Sequence, residues 1–234
     1  MTSPAPQLAA RYRPVRALSV DDVAVMWKLS AACHQNVDLP AFVQHLQWND
    51  GVLLARHLET NRIAGFTTLK RTWLDDGQRP AQGLFCGDVV LDPDCVGDAA
   101  LNLAFERHLL SVWISSRRRP LYLLLLLKQD QTHPLASARF IGRRSLPHQE
   151  GPIDPELTAV ERRYARALFS RRYDDGRRIV DFGDGPGWRV GLHRPFVAEI
   201  SPAHLRARLI SERRKIRTRM ASRGDSRRNI MVFP

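Results

Sequence analysis

The stretch PLYLLLLLK at residues 120–128 constrains the fold more than any other part of the chain. It is apolar from Leu121 to Leu127, far short of the roughly 20 residues that a membrane-spanning helix needs. An uninterrupted apolar run of this length fits a strand buried on both faces, the position a central strand takes when helices cover the sheet. LFCGDVVLD (84–92) precedes it and reads as another strand, closed by the turn-forming Asp92-Pro93-Asp94. Between the two, the spacing of Leu101, Ala104, Phe105, Leu109 and Val112 predicts a helix from about Ala99 to Ser116. Strand, helix and strand then form a βαβ crossover, so the two strands should be parallel neighbours.

The remaining elements fit around this unit. RYRPVRAL (11–18) reads as a first strand. Ser19 and Asp22 form a capping box, because each side chain can satisfy a backbone N–H at a helix start. An amphipathic helix over 20–34 follows. Asp38, with Pro40 in the first turn, starts a second helix whose apolar face is Phe42, Val43 and Leu46. GVLLARHL and RIAGFTTLKRTWL, separated by Glu59-Thr60-Asn61, read as an antiparallel hairpin, and DDGQRPAQ as a loop. After the buried strand, HPLASARF reads as a short helix and Asp154-Pro155 starts a longer one. RRIVDFG and GWRVGLH read as a second hairpin, and Ser201-Pro202 opens a basic helix with a thin apolar stripe. The expected class is α/β, a mixed and mainly antiparallel sheet with a parallel crossover at its centre. Residues 1–200 are read as one domain and 201–234 as a basic helix and tail on it.

Composition bears on partners. The 234 residues are 44% hydrophobic and carry a formal charge of +12. The charge suggests an anionic partner. It is local, since residues 205–234 hold ten basic side chains against Glu212 and Asp225, a net +8. Only four of the 36 basic residues are lysine, a skew that GC-rich coding produces with no ligand involved. The basic run lacks the interleaved aromatics that stack single-stranded bases and any helix-turn-helix or finger spacing, which argues against nucleic acid. Three scattered cysteines indicate neither a disulfide framework nor a zinc knuckle, and eight histidines form no i, i+4 pair, so no metal site is expected. The N-terminus lacks the apolar middle of a secretory signal, and a cytoplasmic, bacterial protein is expected.

The order of elements over residues 11 to 140 resembles the GNAT-type acyltransferase superfamily. VVLDPDCVGDAALNLAFERHL occupies the place where that family has an apolar strand, an Asp-Pro or His-Pro turn, an Arg/Gln-x-x-Gly-x-Gly/Ala loop and a helix. The resemblance implies that helix N-terminal amides cradle the pyrophosphate of acyl-CoA. It further implies that the acyl-pantetheine arm lies between two diverging strands, and that a strand N–H stabilises the oxyanion while an amine attacks. Carried onto this chain, Val89, Val90 and Leu91 would hold the arm, and Val96, Gly97, Asp98 and Ala99 would lie at the phosphate.

The match is incomplete. Val96 stands where the family has arginine, and Asp98, Ala99 and Ala100 replace the glycine-rich end of the loop. The helix tyrosine that often acts as general acid is absent. Three readings stay open: weak or altered binding of coenzyme A, lost catalysis, or a phosphopantetheine donor on an acyl carrier protein. Residues 120–183, ending in Tyr173-Asp174-x-Gly176, resemble the carrier-protein-dependent branch of N-acyl amino acid synthases, and an acidic carrier would suit the basic C-terminal segment. Asp88 is the candidate general base, on the expectation that alternation sets Cys86, Asp88 and Val90 on one face. His133 is the second candidate acid or base, and Cys86 and Cys95 are weighed as acyl carriers. N-acyl transfer to an amine is the leading reading. The alternative is a catalytically silent module whose basic segment binds nucleic acid or an acidic protein.

Overall fold

The computed structural model describes residues 7–34, 37–75, 79–95, 99–128, 140–144, 154–183 and 191–222, with side chains omitted at Asp75 and beyond Lys215. The strands are β1 (Leu8–Pro14), β2 (Gly51–His57), β3 (Ile63–Asp75), β4 (Pro80–Leu91), β5 (Leu121–Lys128), β6 (Ile141–Arg144), β7 (Tyr173–Asp174), β8 (Ile179–Asp181) and β9 (Leu192–Ile200). They form one sheet in the order β1-β2-β3-β4-β5-β9-β8-β7, with β6 also paired to β9. Only β4 and β5 run parallel among the described pairs. The sheet is therefore mixed and mainly antiparallel, with the parallel crossover at its centre, as the buried run requires.

The helices are α1 (Val20–Cys33), α2 (Leu39–Trp48), α3 (Ala100–Ser115), α4 (Pro155–Phe169) and α5 (Pro202–Ser222). Alternation along the strands divides them between the two faces. Leu53, Leu84, Leu123 and Leu125 pack on α3 and on Leu205 of α5. Val52, Leu54 and Phe66 turn the other way onto Met26 of α1 and Phe42 and Leu46 of α2. Phe85, Tyr122 and Leu124 meet Leu157, Val160 and Tyr164 of α4 on that same second face.

The predicted caps are present. Ser19 Oγ accepts from the Asp22 N–H at 3.0 Å while Ser19 N–H donates back to Asp22 Oδ2 at 3.4 Å. Asp38 Oδ1 accepts from Ala41 N–H at 2.7 Å at the start of α2. Several boundaries differ from expectation. β1 begins at Leu8, and Val15–Ala17 form a 3₁₀ turn. Part of the expected loop before residue 84 is strand, because β4 starts at Pro80 and extends the β3 hairpin to the pair Asp75–Pro80. β9 runs past the expected second hairpin to Ile200 and fills the place beside β5. Pro195 is tolerated inside β9 because β8 pairs only near His193 and β6 only from Ala198, so no second ladder calls on its missing N–H. The short helix expected over HPLASARF and the residues joining β8 to β9 lie largely outside the described residues.

Candidate active site

The site starts where the central ladder stops. β4 and β5 pair at Gln82–Leu121, Gly83–Tyr122, Leu84–Leu123 and Phe85–Leu124, and the register ends there. β4 continues to Leu91 against β3 alone, and β5 continues to Lys128 against β9 alone. Beyond Phe85 and Leu124 no ladder joins the two strands.

A bulge re-aims β4 at the same point. Leu69 pairs with Cys86, but Thr67 pairs with Val89, so Gly87 and Asp88 together oppose the single residue Thr68. Cys86 packs in the core under α3, whereas Val90 packs with Met26, Phe42 and Phe66 on the other face. The expected grouping of Cys86, Asp88 and Val90 on one face is thus corrected, because the extra residue shifts the alternation by one. Asp88 turns toward α2, where its Oδ2 lies 3.7 Å from His45 Nε2, both side chains being about four-fifths buried (22% and 16% exposed).

His45 is one turn before Trp48, and the two rings stack at 6.1 Å and 27°. Trp48 is fixed by Lys70, whose ammonium sits 4.6 Å above the indole and donates to the Trp48 carbonyl at 2.6 Å. Phe85, the last ladder residue of β4, meets Trp48 at 5.6 Å and Phe169 of α4 at 5.6 Å, both edge to face. Phe169 in turn meets Phe182 at 6.0 Å. His45, Trp48, Phe169 and Phe182 line a cleft of about 290 Å³ together with Arg171 and Arg172. Arg172 lies 5.1 Å from the Phe182 ring centroid, which places a cation at the aromatic wall. The cleft combines aromatic walls, the imidazole that pairs with Asp88 and two arginines. It suits a small molecule with an apolar body and a negative charge.

The sequence-derived candidates are distributed as follows. Val89 is 41% exposed opposite Thr67, Val90 is buried, and Leu91 pairs with Gly65. Ala99 is the N-cap of α3 and its side chain forms no capping hydrogen bond. Val96, Gly97, Asp98 and His133 lie outside the described residues. Cys86 and Cys95 are buried, and Cys86 Sγ lies 3.2 Å from Thr67 Oγ1, an arrangement typical of packing thiols. Glu106 is only 3% exposed and pairs with Arg208, which fastens α5 to α3. Among the described residues no group of three or more potential ligands could hold a metal ion, and no helix is long and apolar enough to cross a membrane. His45 was not singled out by sequence. It lies on a different element from Asp88, 43 positions away, and neither spacing nor charge run connects them.

No family model matches the chain, and no curated protein matches it. Solved structures do. A probable N-acyltransferase from Enterococcus faecalis aligns at 12% identity and a TM-score of 0.37 over 50% of this chain, which spans only 29% of that protein's length. A GNAT family N-acetyltransferase of Escherichia coli in complex with coenzyme A aligns at 14% identity and TM-score 0.38, covering 54% of this chain and 66% of that one. An acetyltransferase of Trypanosoma brucei aligns at 18% identity and TM-score 0.39, covering 63% and 99% respectively.

Proposed function

We propose that the chain transfers an acyl group from a pantetheine thioester, on coenzyme A or on a carrier protein, to an amine. The observation that carries this reading is the end of the parallel ladder at Phe85–Leu124. An extended pantetheine arm can hydrogen-bond along strand edges left without a partner, as a peptide does when it adds to a sheet. A thioester carbonyl placed beside Val89 to Leu91 would find main-chain N–H donors fixed by the β3 ladder, and such fixed dipoles stabilise a developing oxyanion without reorganisation. The diphosphate of a coenzyme A donor would lie at the start of α3, near Gly97 to Ala99.

The acceptor enters through the cleft at Trp48 and Phe169. Asp88 orients His45 or takes the proton itself, and the pair accepts the ammonium proton before attack. The amine nitrogen then bonds to the carbonyl carbon and gives up a second proton as the carbon–sulfur bond breaks; one of the two protons leaves with the thiolate as free thiol and the other passes to solvent. Arg171 and Arg172 favour an acceptor that carries a carboxylate.

The test is donor-dependent stabilisation followed by turnover. A donor that binds only the folded state must raise the melting temperature. Acetyl-CoA, a long-chain acyl-CoA and an acylated carrier protein are compared in low and moderate salt, with mass spectrometry of the native protein for any co-purified thioester. If none of the donors stabilises the fold while duplex DNA does so in low salt, the enzyme reading is abandoned for the silent binding module.

A further inference from the structure

On the α3 face of the sheet, β1, β3 and α3 enclose a separate cleft of about 590 Å³. Arg11, Tyr12, Arg71, Arg107 and His108 line it with Ser111 and Ser115, and its lining contains no carboxylate. Arg71 reaches only neutral acceptors with its guanidinium, Gln82 Oε1 at 3.2 Å and Ser115 Oγ at 3.5 Å. Its backbone N–H donates to Asp50 Oδ2 at 2.6 Å, and the Tyr12 hydroxyl is pushed up first by burial and then by Asp50, against Arg71 and Arg16. Among the described residues neither Arg71 nor Arg107 forms an ion pair. Elsewhere in the chain Arg56, Arg143, Arg178 and Arg208 each meet a carboxylate.

The wall of the cleft is aromatic. The His108 ring stacks on Tyr12 at 4.4 Å and 18°, and its Nε2 is shielded from solvent with no hydrogen-bond partner. Burial, with the Arg71 charge as a second cause, holds the His108 pKa down to about 4, so the ring is neutral at pH 7. Among the described residues, two guanidinium groups outside any ion pair, a buried imidazole nitrogen without a hydrogen-bond partner and a flat aromatic wall define a site with a charge and a shape. Guanidinium forks match both carboxylate and phosphate, and two of them on one cleft suit the near-double negative charge of a phosphate monoester. The volume lies within the range of small-molecule sites.

We propose that this cleft binds a small molecule bearing a phosphate monoester, with Arg71 and Arg107 holding the phosphate and the Tyr12–His108 stack supporting the organic part. The inference is independent of acyl transfer. An anion between the two arginines offsets the Arg71 charge felt by His108 and gives its Nε2 a partner.

The experiment uses AMP as probe, inorganic phosphate as the minimal anion and adenosine as the uncharged control, in chloride buffer. ¹³C-labelled histidine is followed by NMR. AMP should saturate at one equivalent and move the His108 titration up by about one unit or more, a change worth about tenfold in proton affinity. Inorganic phosphate should move it in the same direction at higher concentration, and adenosine should not. Arg71→Met and Arg107→Met should each weaken AMP at least tenfold. Arg71→Met should also raise the His108 titration with no ligand present, a readout that misfolding would not produce selectively. The proposal is overturned if neither phosphate probe shifts His108 saturably, if the arginine variants bind AMP unchanged, if adenosine matches AMP, or if only a long polyanion such as RNA binds.

Discussion

Lowering the pH should cost this protein stability through one identifiable group. His108 is pushed down from 6.5 to about 4, first by burial and then by the Arg71 charge. The unfolded chain therefore takes up the proton near pH 6.5, while the folded chain resists it until about pH 4. Stability is fully present above pH 6.5 and falls progressively as pH drops below it, because the unfolded state binds more protons across that window. At pH 5 an imidazole of pKa 6.5 is about 97% protonated and one of pKa 4 only about 9%, which corresponds to about 2 kcal/mol lost from this residue. Far below pH 4 the loss would level off at about 3 kcal/mol, the full shift at 1.36 kcal/mol per unit. Other groups titrate too, so the measurement is a difference. Urea unfolding of the parent and of His108→Phe is compared at pH 7.5, 6.5, 5.5 and 5.0 in chloride buffer. Phenylalanine keeps an aromatic ring against Tyr12 and removes the titration. The parent should lose about 2 kcal/mol relative to the variant between pH 7.5 and 5.0. A difference that stays flat, or that grows above pH 6.5, would show that His108 is not held neutral and refute the reasoning.

Other expectations follow from contacts named above or beside them. Gly83 faces the Tyr164 phenol at the start of the parallel ladder, where a Cβ would land on the ring; Gly83→Ala should cost about 3 kcal/mol in urea unfolding, as overpacked cores do. Tyr164 is fully buried and its hydroxyl has no partner, so Tyr164→Phe should be neutral or stabilising by up to about 1 kcal/mol in the same assay. Glu161 is 1% exposed and bound by Arg178 Nε at 3.0 Å, so Arg178→Met should cost about 3 kcal/mol by thermal melt through loss of the guanidinium from a buried carboxylate. With an active donor–acceptor pair in hand, His45→Asn and Asp88→Asn should each lower kcat by about 10²-fold or more with little change in melting temperature; a loss under tenfold in both would remove the pair from the chemistry.

The parts of the fold that local rules govern were legible in the sequence. The Ser19–Asp22 capping box and the Asp38 N-cap declare themselves within three residues, and the buried run at 121–127 could only be a covered central strand. The parallel pairing of β4 and β5 follows from crossover handedness. What failed depends on distant pairing. Nothing near residues 192–200 says that this strand lies beside β5, since its partner is some 70 residues earlier, and Pro195 reads locally as an edge residue. The extension of β4 to Pro80 was hidden because Asp, Gly, Gln and Pro read as a loop, and pairing with β3 overrides those local preferences.

The site was half legible for a related reason. Asp88 and the strand segment Val89–Leu91 are marked by their place in the crossover. Yet the face on which Asp88 emerges depends on whether β4 carries one extra residue opposite Thr68, and strict alternation predicts the wrong face. The bulge is a local breach of the strand's period, placed where β4 also parts from β5. Breaches of this kind concentrate where structure serves function and not packing alone. The same displacement that defeats the periodic reading brings Asp88 to His45, and so joins three segments (α2, β4 and the end of α4) that no linear pattern relates. In the proposed reading the end of the β4–β5 ladder offers strand edges to an extended chain, and the bulge brings a carboxylate to His45. Neither alone would make a site, and their coincidence at Phe85 to Asp88 is why the chemistry is assigned there.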